Sequence, residues 1–175
     1  MRAFLWCNGE LPSQEIISNL GEISPLFGVD GGGAKANSLG LNVNEILGDL
    51  DSIDNDDSQI KKTLLENQHF SDLTKTINEL AKRGFSEFDI LGVDGGDTGH
   101  ILGIWGSLAE LSQDLVIRLY HQNSITHRIT TESGDFKFEI DKDRLFSVFA
   151  LSKCQNVSIK GAEWEIFNEE LDFST

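Results

Sequence analysis

The sequence predicts an α/β protein, in which an N-terminal parallel-sheet domain with helices on its faces precedes a small antiparallel, β-sandwich-like domain. Through residue 111, short apolar runs alternate with Gly- and Asp-rich loops and helical patterns, which is typical of a parallel sheet. After Ser112 the helical period disappears and short alternating segments follow, which is typical of antiparallel strands. The predicted domains are therefore residues 1–112 and 113–175.

Short apolar runs that end at glycine or acidic residues predict the strands of the first domain, which are residues 4–7, 26–29, 45–48 and 88–92. Apolar residues at helical spacing predict its helices, which are residues 14–19, 34–39, 58–66, 73–83 and 100–111. In the fourth helix Ser71 or Asp72 is the expected N-cap, and Lys75 and Glu79 are at the i,i+4 spacing of an ion pair. The strands expected in the second domain are residues 115–120, 124–131, 135–140, 145–151, 156–160 and 163–167.

The charge of the chain excludes some classes of partner. Twenty-nine acidic residues against 14 basic ones give a net charge of −15, which disfavours binding to nucleic acid or anionic lipid. The apolar stretches are too short to span a bilayer, and the N-terminus becomes polar too early for a signal peptide. Cys7 and Cys154 provide neither a disulfide framework nor a metal pair and are expected to be buried. We expect a soluble, cytoplasmic protein.

Acidic residues follow the predicted strands at 26–29, 45–48 and 88–92. In an open parallel sheet the carboxyl ends of the strands share one ligand crevice, so Asp30, Asp49 and Asp51 should face it together. No Lys or Arg in their own loops neutralises them, and such a set is typical of a site for Mg²⁺ that bridges phosphates. A single Asp-Gly pair more often marks only a turn. For residues 49–52 alone, a structural role and a metal site carry equal weight. Neither a P-loop nor a G-x-G-x-x-G fingerprint follows the first strand.

Four segments, taken in order, resemble the thiamine pyrophosphokinase family. They are Val29-Asp30-Gly31-Gly32-Gly33-Ala34, Gly48-Asp49-Leu50-Asp51-Ser52, Ser71-Asp72-Leu73-Thr74-Lys75 and Gly92-Val93-Asp94-Gly95-Gly96-Asp97-Thr98-Gly99-His100. Gly161-Ala162-Glu163-Trp164 resembles a later family segment, so the resemblance runs from about residue 4 to the end. Gly-Asp-x-Asp-Ser is the most specific of these motifs.

The resemblance implies transfer of a diphosphoryl group from ATP to the hydroxyl of thiamine, with release of AMP. It implies Mg²⁺ as cofactor, ATP as co-substrate, and a homodimer. Asp49, Asp51 and Asp72 would hold the metal and take part in catalysis, and Lys75 would meet a phosphate. The residues that would line the nucleotide site are Asn8, Asp30, Gly31, Gly32, Gly95, Gly96 and His100, and Trp164 would contact thiamine.

The chain departs from the family pattern in one loop. The family's Gly-Gly-Arg-x-Asp-His has Asp97 here in place of Arg and Gly99 in place of Asp. One alternative is therefore a diphosphokinase that acts on another heterocyclic alcohol, for example a hydroxymethylpterin. Another is a nucleotide- or thiamine-binding protein without catalysis.

Several of these side chains also have structural interpretations. Without the family, Lys75 is a solvated charge paired with Glu79, and His100 is an ordinary residue at a helix N-terminus. For Trp164, contact with thiamine and a place in the core or at an interface carry equal weight. Trp6 and Trp105 are expected in the core.

Overall fold

The computed structural model describes residues 1–51 and 59–173, which divide into two compact units, Met1–Phe136 and Lys137–Thr175. In the first unit the strands are β1 (Arg2–Trp6), β2 (Leu26–Val29), β3 (Glu45–Gly48), β4 (Lys61–Leu64), β5 (Glu87–Leu91), β6 (Val116–Tyr120) and β7 (Ile125–His127). Its α-helices are α1 (Gln14–Asn19), α2 (Gly31–Ser38), α3 (Asp72–Lys82) and α4 (Thr98–Glu110). The second unit contains β8 (Cys154–Ile159) and β9 (Ile166–Leu171). The predicted fold class, a parallel sheet with helices followed by a small antiparallel sheet, is confirmed.

The seven strands of the first unit form one sheet in the order β4-β3-β2-β1-β5-β6-β7. Strands β1 to β6 pair with one another in parallel, and β7 is antiparallel to β6. The strand order reverses at β1, because β2 to β4 extend from one side of it and β5 to β7 from the other. The crevice beyond the ends of β1 and β5 is therefore the switch point at which open α/β sheets bind ligands.

Glycines allow the first turn of α2 to pack against the sheet. This helix begins at Gly31, three residues before the predicted start. A Cβ on Gly32 would lie 2.1 Å from the carbonyl oxygen of Trp6, and one on Gly28 would lie 2.2 Å from the Cα of Gly33. Only residues without a side chain permit this close approach. The N-terminus of α2 is therefore held directly beside the end of β1.

Helix α3 packs one apolar face against the sheet. The hydroxyl of Ser71 accepts a hydrogen bond from Thr74 N at 3.1 Å and caps the N-terminus, as predicted. Leu73, Ile77 and Leu80 are buried at helical spacing. This packing fixes the start of α3 beside the end of β3.

Two sheet assignments from the sequence are wrong. The sequence predicts a helix over residues 58–66, but residues 61–64 form β4, an edge strand that pairs with β3. Ser58 lies outside the described residues. The apolar side chains at 60, 64 and 65 fit either structure, and the contact of Glu45 with Thr63 and Lys61 across the strands favours the strand. Strands β6 and β7 belong to the first sheet rather than to the second domain, so the compact units divide at 136/137 instead of 112/113.

A buried ion cluster explains the position of β6. Asp89 on β5 is completely buried and accepts hydrogen bonds from Arg2 on β1 and from Arg118 and Tyr120 on β6. Burial by itself raises the pKa of Asp89, but the bonds from Arg118, Arg2 and Tyr120 outweigh it and hold the pKa below its usual value. A charged pair between strands leaves no local signal in the sequence.

The second unit is a hairpin in which β8 and β9 pair antiparallel, with Cys154 opposite Leu171. The strands predicted at 135–140 and 145–151 are absent from those described residues. Apolar side chains such as Phe138 and Phe149 are exposed there, so their alternation does not reflect a buried sheet face. Cys7 is buried as expected, whereas Cys154 is partly exposed. Within the described segments, no helix has the length and apolar character needed to cross a membrane.

Candidate active site

Three carboxylates meet at the ends of β2 and β3. Asp30, Asp49 and Asp51 each offer an oxygen within 4.8 Å of the others. Asp30 Oδ1 is buried and has no hydrogen-bond partner among the described residues. A buried, unpaired carboxylate oxygen beside two further carboxylates is costly unless a cation occupies the site. Hard divalent cations such as Mg²⁺ prefer oxygen ligands of this kind, so the residues present fit this metal.

The backbone between β3 and the carboxylates is unusual and explains their convergence. Leu50 has a φ of +63° and packs its side chain against the core, which leaves Asp49 and Asp51 on either side of the turn. Gly48 passes so close to Asp30 that a Cβ there would lie 2.9 Å from the Asp30 Cβ. The Gly-Asp-Leu-Asp segment thus brings β2 and β3 into contact at the site.

The environment of Asp49 favours its ionised form. Burial raises the pKa of Asp49, but hydrogen bonds from the Gln68 amide and the Asp51 N–H, together with the charge of Lys75, lower it below its usual value. Gln68 Nε2 lies 3.3 Å from Asp49 Oδ2. Asp49 is therefore a weak base and a good ligand for a cation at neutral pH.

Lys75 is buried and paired, which corrects the solvated-charge interpretation. Its Nζ lies 2.7 Å from Asp72 Oδ1, 4.0 Å from Asp49 Oδ2 and 3.2 Å from the Leu65 carbonyl oxygen. Asp72 Oδ1 also accepts a hydrogen bond from the Asp49 N–H at 3.1 Å. Glu79, the partner expected from spacing, pairs with Arg83 and Lys82 instead. Lys75 and Asp72 therefore brace the turn that carries Asp49, and Asp72 is not part of the three-carboxylate group.

The loop that departs from the family pattern forms the start of α4. Asp97, which stands in place of the family's Arg, caps the helix by accepting a hydrogen bond from His100 N at 2.9 Å. His100 is exposed, and its ring lies beside Gly96. Earlier in the loop, Asp94 accepts hydrogen bonds from His121 Nδ1 and from Gln122 N, both at 2.6 Å.

The loop after β1 is joined to α2 and to the loop after β5. Lys35 on α2 donates hydrogen bonds to the carbonyl oxygens of Asn8 and Gly9, at 3.3 and 2.5 Å. The Gly9 N–H bonds to the Gly92 carbonyl at 2.8 Å, and the Glu10 N–H bonds to the Asp94 carbonyl at 2.6 Å. Lys35 thus joins the loop after β1 to helix α2.

The predicted site residues are distributed as follows. Asp30, Gly31, Gly32, Asp49, Asp51, Asp72 and Lys75 surround the ends of β2 and β3. Asn8, Gly95 and Gly96 lie in the loops at the β1–β5 crevice, and His100 lies in the first turn of α4. Trp164 belongs to the second unit and is 77% exposed, so it is not a core residue there. Sequence reasoning missed Glu10, Gln68, Trp105 and His121. None of them belongs to a motif, so only the positions of their elements in the fold identify them.

Fold and site together define a class of protein: a doubly wound α/β protein with a carboxylate cluster and a glycine-rich helix start at the carboxyl edge of its sheet. Residues 20–120, more than half of the chain, match the family model of the thiamin pyrophosphokinase catalytic domain. The chain therefore belongs to the thiamine pyrophosphokinase family. A comparison with curated protein sequences finds no match.

Solved structures agree with this assignment. Thiamine pyrophosphokinase from Bacillus subtilis matches with a TM-score of 0.77 at 18% identity, over 100% of this chain and 86% of that one. A thiamin pyrophosphokinase family protein from Enterococcus faecalis matches with a TM-score of 0.67 at 16% identity, over the same shares of 100% and 86%. A probable thiamine pyrophosphokinase from Staphylococcus saprophyticus subsp. saprophyticus is 26% identical over 68% of this chain and 64% of that one, with a TM-score of 0.54.

Proposed function

We propose that this protein is a thiamine pyrophosphokinase, which transfers the diphosphoryl group of ATP to the hydroxyl of thiamine and releases AMP. The observation that carries the proposal is the group formed by Asp30, Asp49 and Asp51, with its unpaired buried oxygen, at the end of the sheet in a chain of this family. Phosphoryl transfer of this kind depends on positioning and on electrostatic stabilisation, which such a group supplies together with a cation.

Mg²⁺ would be held by Asp30, Asp49 and Asp51, and when bound it would neutralise charge on the phosphate oxygens of ATP. The resemblance implies Asp72 as a further metal ligand. Its role in the proposed site is first to orient Asp49, because it accepts a hydrogen bond from the Asp49 N–H and pairs with Lys75. The Lys75 ammonium has two carboxylates and a carbonyl oxygen as partners, which hold it in place. Its positive charge keeps Asp49 ionised and oriented.

The chain's own groups orient the reactants. The N-terminus of α2 places backbone N–H groups and the positive end of the helix dipole beside the carboxylates, where phosphate oxygens bind favourably. The thiamine hydroxyl oxygen attacks the β-phosphorus, the bond from this phosphorus to the α,β-bridging oxygen breaks, and AMP leaves with the electron pair. The hydroxyl proton passes to a carboxylate of the site or to solvent.

The experiment is chromatographic analysis of a reaction that contains the protein, Mg²⁺-ATP and thiamine. We expect AMP and thiamine diphosphate in equal amounts. Asp49→Asn should abolish both, whereas Asp135→Asn, at an exposed acid in the same unit, should leave both unchanged. Absence of AMP in the wild-type reaction would contradict the proposal.

The replacement of the family's Arg by Asp97 favours a test of two further functions, because the loop has lost a cation that would meet phosphate. A reaction with a hydroxymethylpterin in place of thiamine tests for another acceptor alcohol. Thermal stabilisation by Mg²⁺-ATP without AMP from either acceptor would instead identify a binding protein.

A further inference from the structure

Lys35 on α2 is a cation that pairs with none of the described carboxylates. Its Nζ donates hydrogen bonds to the carbonyl oxygens of Asn8 and Gly9, both of which are uncharged. An ammonium has three N–H donors, so two carbonyl acceptors leave one donor for a further partner. The loop after β1 therefore holds the Lys35 ammonium in place without neutralising its charge.

Helix geometry directs this side chain toward the carboxyl edge of the sheet. Lys35 lies about one turn after Gly31, the first residue of α2, and helical side chains lean toward the N-terminus of their helix. The first backbone N–H groups of α2 have no acceptor within the helix. The ammonium and these N–H groups are therefore available at the edge that carries the three-carboxylate group.

The other cation at this edge is already engaged. The Lys75 ammonium is held by Asp72, Asp49 and the Leu65 carbonyl oxygen. Among the described residues of the first unit, no further Lys or Arg stands in a loop after a parallel strand or in the first two turns of the following helix. Lys35 is thus the cation of this edge whose charge no described carboxylate offsets.

The edge is otherwise strongly acidic. Asp30, Asp49 and Asp51 form the carboxylate group, and Asp94 and Asp97 stand in the loop after β5. A polyphosphate that approaches these side chains meets like charge, of which a single divalent cation offsets only a part. A phosphate group bound at this edge therefore needs a further positive charge, and Lys35 can supply it.

We propose that Lys35 binds a phosphate group of the nucleotide, together with the backbone N–H groups at the start of α2. The inference rests on the proposed function, in which ATP is the source of that phosphate. It assigns to α2 a positive charge that the loop after β5, with Asp97, does not provide. Because the carbonyl oxygens of Asn8 and Gly9 orient the ammonium before the ligand arrives, less side-chain entropy is lost on binding.

The test is calorimetric titration with tripolyphosphate and with ATP, each in the presence of Mg²⁺ and without thiamine. Lys35→Gln keeps a donor for the loop carbonyls but removes the charge, so it should bind both ligands about tenfold more weakly than the wild type. Lys35→Arg keeps the charge and should retain most of the affinity. Lys62→Gln removes the same charge at an exposed position on β4 and should bind as the wild type does.

Salt distinguishes a charge contact from a distorted loop. Raising the ionic strength from about 0.05 M to about 0.5 M should narrow the difference between the wild type and Lys35→Gln, because salt screens partly exposed charges. A loop displaced by the substitution would weaken binding equally at both ionic strengths.

The inference is overturned if Lys35→Gln binds both ligands as the wild type does, if Lys62→Gln weakens binding as much, if salt leaves the difference unchanged, or if the wild type binds neither ligand. These titrations need neither an acceptor alcohol nor turnover, so they separate the inference from the proposed function. Binding that depends on Lys35 in a protein that makes no AMP would support the inference and contradict the reaction. AMP formation with a KM for ATP that Lys35→Gln leaves unchanged would do the reverse.

Discussion

The ammonium of Lys75 lies 2.7 Å from Asp72 Oδ1 and 4.0 Å from Asp49 Oδ2, so one buried cation links the start of α3 to the turn after β3. The link is reinforced because Asp72 also accepts the Asp49 N–H. Orientation of Asp49 therefore depends on α3 as well as on its own strand.

Replacement of Lys75 tests this dependence. Lys75→Met should lower kcat about 100-fold, because a misplaced Asp49 no longer positions the reactants, with a smaller change in the KM for ATP. It should also lower the free energy of unfolding by about 1 kcal/mol, since the acids it leaves are partly exposed. Lys82→Met, at an exposed position on the same helix, is the matched control and should change neither. A rise in KM without a fall in kcat would show direct contact with ATP instead.

Asp30→Asn separates metal binding from folding. Removal of one of three close carboxylates should relieve repulsion and raise the stability of the metal-free protein by up to about 1 kcal/mol. The same change should reduce the increase in melting temperature that Mg²⁺ produces in the wild type. The comparison is made by thermal denaturation with and without Mg²⁺, and an unchanged response to Mg²⁺ would exclude Asp30 as a ligand.

Asp97 is expected to stabilise α4. Asp97→Ala should lower the free energy of unfolding by about 1 kcal/mol, because the His100 N–H loses its acceptor. Asp97→Asn retains a good N-cap and should be close to neutral. Urea denaturation measures both, and equal stability of the Ala and Asn variants would contradict the capping role.

Two helical glycines should respond in opposite directions to alanine. Gly32→Ala places a Cβ 2.1 Å from the Trp6 carbonyl oxygen, so the start of α2 must move and stability should fall by about 3 kcal/mol or more. Gly103→Ala meets no atom within 4 Å and should raise stability by about 1 kcal/mol through helix propensity. Urea denaturation of both variants checks the contrast, and a mild effect at Gly32 would mean that the helix start is adjustable.

The buried Asp89 should make the protein sensitive to acid. Because the folded-state pKa of Asp89 lies below its unfolded value, this residue contributes stability above about pH 4, which is lost as the pH falls through the folded pKa. Asp89→Asn should lower the free energy of unfolding at pH 7 by about 3 kcal/mol, since Arg118 and Arg2 lose their partner.

The difference between wild type and Asp89→Asn should begin to shrink as the pH falls below about 4, because the carboxylate of the unfolded wild type is protonated first, and it should continue to shrink down to the lower folded-state pKa. Unfolding curves between pH 7 and pH 3 measure this convergence. A difference that stays constant over that range would show that ionisation of Asp89 contributes nothing.

Much of the fold follows from local patterns. Helix α1 and strands β2 and β3 have the predicted bounds, because buried strands are marked by short apolar runs and their ends by residues that suit turns. Grouping Asp30, Asp49 and Asp51 also followed from local information, since strand ends in a parallel sheet converge.

The remainder depended on contacts between distant segments. Residues 61–64 form a strand in which Thr63 contacts Glu45 on β3. The place of β6 depends on the contact of its Arg118 with Asp89 on β5. In both cases the partner is distant in sequence. Lys75 was assigned the wrong partner because helical spacing indicates Glu79, whereas burial placed its ammonium between Asp72 and Asp49.

A cavity that Trp105 lines shows the same division. The sequence by itself determined that Trp105 lies on the apolar face of a helix, because that follows from a period of 3.6 residues. Only the tertiary structure decided that this face meets Glu10, Asp94 and His121, because three separate loops converge at the point where the strand order reverses. Local patterns establish which groups the chain possesses, and the packing of the sheet determines which of them face one another.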